Sequence, residues 1–132
     1  MPFTVKHDSV LSVVEVVFSG MITGDNLREA TDRCITLQKQ MGVTSFLIDI
    51  NGWDLAASVI DLYDLPATQY RNQALSRNTR IAVLLPVSEN VQEAARFYEN
   101  ACRNRGWNAL ICQDRQGALG WLASAAVPEE PA

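Results

Sequence analysis

The sequence predicts an α/β domain built on a mixed sheet of about five strands, an opening antiparallel hairpin followed by alternating helices and strands, with four helical segments. Three observations carry this. The first twenty residues hold two runs rich in β-branched residues, separated by turn formers. The short apolar runs Phe46–Ile50 and Ile81–Leu85 have the length and composition of strands covered on both faces. Between and after these runs, apolar residues recur at helical spacing.

Taken in order, Phe3 to His7 alternates apolar and polar residues as a half-wet strand does, and Leu11 to Ser19 follows as its hairpin partner across Asp8 and Ser9. A helix is expected from Thr23, a side chain suited to N-capping, with Asp25 in its first turn. Its apolar face would be Leu27, Ala30, Cys34, Leu37 and Met41, and Gly42 would end it in a left-handed cap. Thr44 to Ile50 is the expected central strand, after which Asn51–Asp54 would turn the chain. A second helix would begin near Ser58, with Asp61 at capping-box spacing and Pro66 interrupting it. Arg80 to Pro86 is a further buried strand, followed by a helix from Glu89 to Arg105 and the cap residue Gly106. Its inner face is Val91, Ala94, Ala95, Tyr98, Ala101 and Cys102, leaving Glu93, Arg96 and Glu99 to solvent. Trp107 to Cys112 supplies the last strand, and Asp114 caps a final helix through Ala118, Trp121 and Leu122. Residues 1–126 are expected to form one domain, with 127–132 as a flexible tail.

With 132 residues, 48% of them apolar and 20% charged, the composition is that of an ordinary globular domain. Fifteen acidic side chains against eleven basic ones, with no basic stripe, argue against nucleic acid and against anionic membrane surfaces. Cys34, Cys102 and Cys112 lack CxxC spacing and read as buried, reduced thiols. The N-terminal stretch carries Lys6, His7 and Asp8 where a signal peptide needs an apolar run, and no run is long enough to span a membrane, so a cytoplasmic location is expected.

Gly20 to Leu27, Leu47-Ile48-Asp49-Ile50, Arg80-Ile81-Ala82-Val83, Phe97-Tyr98-Glu99 with Arg105-Gly106-Trp107, and Ala118-Leu119-Gly120-Trp121-Leu122 are similar to bacterial SpoIIAA-like, or STAS-like, proteins. The likeness covers nearly the whole chain. It implies a non-enzymatic regulatory or protein-interaction domain, as in the anti-sigma-factor antagonists, which switch by phosphorylation of a serine in an Asp-Ser-Ser-Gly type motif. This sequence has Asp49-Ile50-Asn51-Gly52-Trp53 there, and Ser58 is the displaced candidate for that role. In outline the plan also resembles CRAL-TRIO lipid carriers, which implies a carrier or sensor of a small apolar ligand as the alternative.

The residues supply little catalytic chemistry. His7 is the sole histidine, placed in the first strand, and no Ser-His or Cys-His set forms around it. No P-loop, no G-x-G-x-x-G and no zinc spacing is present, so no cofactor or metal is expected. Asp49, Asp54, Asp61 and Asp64 fall within one strand-to-helix passage; Asp49 is the odd polar residue in an apolar strand, where a charge is costly unless paired. Trp53 follows Gly52 in the predicted loop, where an aromatic serves as cover or as interface. Because ligands gather at the carboxyl ends of parallel strands, the candidate partner- or ligand-binding residues are Asp49, Asn51, Trp53, Ser58, Tyr63 and Ser88. The expected partner is another protein, a second copy of the chain or a small apolar ligand.

Overall fold

The computed structural model describes residues 3–55 and 59–124, with backbone only for 53–55, 59, 60 and 63. Five strands, β1 (Phe3–Asp8), β2 (Val13–Ile22), β3 (Ser45–Leu55), β4 (Arg80–Leu84) and β5 (Asn108–Cys112), form one sheet in the order 1-2-3-4-5. β1 and β2 are antiparallel and all other neighbours are parallel, as the alternation after the hairpin predicted.

Every parallel connection steps one strand further across the sheet, so right-handed crossovers put the connecting helices on one face. These are α1 (Gly24–Met41), the interrupted segment α2 (Val59–Asp64), a π-helical turn (Leu65–Gln69) and α3 (Tyr70–Asn72), and α4 (Glu89–Asn104). They cover Val14, Val16 and Phe18 of β2 and Phe46, Ile48 and Ile50 of β3. The alternate residues Val13, Leu47, Ala82, Leu84 and Cys112 face the other way, onto α5 (Arg115–Ser124). A single period-two sequence thus feeds two cores.

The helix ends follow local chemistry. Thr23 accepts from Asn26 N–H at 3.2 Å while the Asn26 side chain accepts from Thr23 N–H at 3.0 Å, a reciprocal cap. Gly42 closes α1 at φ 72° and Gly106 follows α4 at φ 81°, both in the left-handed region that favours glycine. Asp114 accepts from Gly117 N–H at 2.7 Å and starts α5.

Four expectations are corrected. Asn51–Asp54 do not turn the chain but continue β3, whose residues Gly52–Leu55 pair with Ser19–Ile22 of β2, which likewise runs past Gly20. Gly52 is not a turn glycine: the register shifts between Val17 and Ser19, and a Cβ at Gly52 would lie 3.2 Å from Ser19 Cβ, so it permits close approach of two strands. On α1, Met41 is exposed and Gln38 is buried in its stead. Glu99 is not simply solvated: its carboxylate accepts from Ile111 N–H at 2.8 Å and closes the free edge of β5. Among the described residues no helix is long and apolar enough to cross a membrane.

Candidate functional site

One polar chain joins β3, just past the point where its pairing with β4 stops, to the loop that leaves β4. The Asp49 carboxylate accepts from the Asn51 backbone N–H at 3.0 Å and from its side-chain amide at 3.3 Å. Asn51 Oδ1 then accepts from the Val87 N–H at 3.1 Å, across from the loop that leaves β4. Ser88 follows as the N-cap residue of α4, without a side-chain cap bond of its own, and Gln92 closes the loop by donating to Pro86 O at 2.7 Å. This explains the charge in an apolar strand: Asp49 orients Asn51, and Asn51 fixes the neighbouring loop. Asp49 also lies near Arg115 at the start of α5, whose guanidinium makes a two-pronged pair with Glu15 at 2.6 and 2.9 Å.

Three of the predicted site residues, Asp49, Asn51 and Ser88, therefore meet at one end of the sheet. Trp53 enters this end as the β3 residue opposite Gly20. The side chains of Trp53 and Tyr63, and Ser58 altogether, lie outside the described residues. Asp61 does not join Asp49: its side chain packs against Gly24 and receives Arg28 at 3.4 Å, tying α2 to α1. No group of three or more potential metal-ligating side chains occurs among the described residues. Two residues of this rim had no polar signal in the sequence. Val87 is 88% exposed and Met21, on the protruding end of β2, is 69% exposed.

A second feature lies inside. A cavity of about 70 Å³ sits between β3 and the helices α1, α2 and α4. Phe46, Ile48 and Ile50 form its floor, no charged residue lines it among the described residues, and its polar groups come from Thr31, Cys34, Tyr70 and Tyr98. Tyr70 and Tyr98 hydroxyls hydrogen-bond each other. Burial pushes the Cys34 and Cys102 thiols up to about 12. In the folded chain both therefore stay protonated at pH 8 and should resist iodoacetamide, whereas the urea-unfolded chain should react at all three cysteines; equal rates in both states would refute this burial. The linkage has a sign. Thiols that ionise near 9 when unfolded but near 12 when folded take stability away as pH rises between those values, by up to about 1.4 kcal/mol per pH unit for each group.

No known family model matches this sequence, and no curated protein matches it. Solved structures do. The anti-sigma factor antagonist SpoIIAA in its unphosphorylated form superposes with a TM-score of 0.58 at 13% identity, covering 92% of this chain and 97% of that one. An uncharacterized protein of the DUF3478 family with a SpoIIAA-like fold, from Shewanella loihica PV-4, gives 0.59 at 17% identity, covering 91% and 93%. At such identities the likeness speaks for the fold alone, and the fold of this chain is that of a SpoIIAA-like, STAS-like α/β domain.

Proposed function

We propose that the chain is a non-enzymatic regulatory or protein-interaction domain that meets a partner protein, or a second copy of itself, through the rim at the carboxyl ends of β2, β3 and β4. The observation that carries this is Val87: an apolar side chain 88% exposed, on a loop held by Asn51. Exposed apolar groups presented on a fixed loop suit an interface, because their ordering cost is already met before binding. Met21, on the protruding end of β2, is a second exposed apolar side chain towards the same end of the sheet. The chemistry favours contact over catalysis. His7 pairs with Val14 at the other end of the sheet, and the three cysteines are buried. SpoIIAA, which shares the fold, is an anti-sigma factor antagonist.

The test is Val87→Asp. As a surface change it should alter stability by no more than about 0.5 kcal/mol, yet weaken self-association or partner binding at least tenfold by placing a charge in the contact. Light scattering reads the first, and in-cell crosslinking followed by binding to the purified partner reads the second. An unchanged mass together with an unchanged crosslinked partner would overturn the proposal.

The cavity beside β3 favours a second reading, a carrier or sensor of a small apolar ligand. Drug-sized ligand sites span roughly 300–1,000 Å³. At about 70 Å³ this one admits only a few heavy atoms as it stands, which is why the interaction reading leads.

A further inference from the structure

The cavity has a polar end in a hydrocarbon wall. Tyr70 of α3 and Tyr98 of α4 both line it, both are buried, and their hydroxyls bond to each other. Two phenols carry two hydrogens, and only one lies between the two oxygens. The other has the Cys102 thiol in reach, a weak partner for a buried donor. A hydroxyl or carbonyl oxygen in the cavity is a better partner than sulfur, and each phenol oxygen keeps lone pairs to accept a hydrogen in return. Burial holds both phenols well above their ordinary range, so they remain neutral donors at physiological pH.

Charge decides the rest. With no lysine, arginine or histidine among its lining residues, the cavity offers nothing to pair with an anion, and an unpaired buried carboxylate is strongly disfavoured. Resting on the second reading above, we infer that this cavity selects a small neutral molecule with an apolar body and one hydroxyl or carbonyl oxygen, which docks on the Tyr70–Tyr98 pair. Size limits the body to a short one, since an apolar cavity of about 150 Å³ is filled by benzene.

The experiment titrates the intact chain with 1-propanol, acetone, acetate and propane, probes of three or four heavy atoms that suit the cavity, followed by backbone amide NMR shifts at pH 7.5. Propanol and acetone should bind at least tenfold more tightly than acetate. The acetate affinity should recover about tenfold for each pH unit down towards the ordinary carboxyl range, as the neutral acid replaces the anion. Tyr70→Phe and Tyr98→Phe should each weaken propanol at least fivefold while leaving propane unchanged or tighter. If acetate binds as well as propanol at pH 7.5, or if propanol and propane respond alike to both substitutions, the head-group inference is wrong while the ligand reading stands; the second outcome would place the polar contact at Thr31 or nowhere. If none of the four binds, the ligand reading fails and this inference with it. The comparison of propanol with acetate needs no substitution, so a variant that folds poorly does not block the test.

Discussion

Trp107→Ala is expected to cost about 3–5 kcal/mol, a large share of the ~5–15 kcal/mol that holds a domain of this size together. Trp107 is 3% exposed and stands at the entry to β5, where it joins parts of the chain far apart in sequence. Its indole N–H donates to Pro66 O at 3.2 Å, in the π-helical turn beside the cavity. Its ring meets Tyr70 edge-on, with centroids 5.6 Å apart and planes at 84°. Over its face lies the Arg77 guanidinium, 3.8 Å from the ring centroid, which also donates to Arg105 O at 3.0 Å. Alanine removes the packing, the hydrogen bond and the stacking together, and leaves the π-turn without its anchor. Phenylalanine separates these contributions, since it keeps a ring but leaves the Pro66 carbonyl unpaired, and should cost about 1–3 kcal/mol. Urea unfolding checks both: the midpoint should fall with little change in slope. A Trp107→Phe chain as stable as the parent would mean that the Pro66 contact contributes nothing.

What the sequence disclosed, and what it hid, divides along one line. Features set by neighbours in the chain were legible. Thr23, Gly42, Gly106 and Asp114 cap their helices through contacts a few residues away. The inner face of α4 was readable for the same reason, because one uninterrupted period places all six of its residues. Features that need a distant partner were not. Asn51–Leu55 carry turn-forming residues, yet they stay in the sheet because β2 supplies a matching extension and Gly52 lets Ser19 close in. Asp49, Asn51 and Ser88 were placed together by topology alone. The bond from Asn51 to Val87 spans 36 residues and has no local trace. Tyr70 was missed as a partner of Tyr98 because Pro66 and the π-helical turn shift the phase of the helix between α2 and α3, and a 3.6-residue period cannot be carried through such a turn.

Gln38 shows the same limit most sharply, and replacing it by leucine should destabilise the chain although an apolar residue suits that face of α1. Gln38 is 6% exposed, and both ends of its amide are used. Nε2 donates to Val43 O at 3.0 Å and to Thr79 Oγ1 at 2.8 Å, while Oε1 accepts from Ser76 N–H at 2.8 Å. The side chain thereby fastens the end of α1 to the segment that leads into β4. Leucine fits the volume and gains about 1.5–3 kcal/mol of apolar burial at most. Against that stand three polar groups deprived of a partner, each costing about 1–3 kcal/mol where water cannot replace it. The net loss should be about 2–4 kcal/mol, measured by urea unfolding. Thr79→Val removes one of the three bonds and should cost about 1 kcal/mol; in the double variant the two losses should not add, because the shared bond is broken only once. Gln38→Glu carries a further signature. A buried carboxylate without a cation is held above its unfolded range, so the folded chain favours its protonated form. Stability is then greatest below the unfolded carboxyl pKa and falls as pH rises through it, by up to about 1.4 kcal/mol per pH unit until the folded pKa is passed. Gln38→Glu should therefore tolerate more urea at pH 4 than at pH 7 relative to the parent. If Gln38→Leu matches the parent in stability, or if Gln38→Glu shows no relative gain on acidification, the buried amide does not hold α1 to β4 as described.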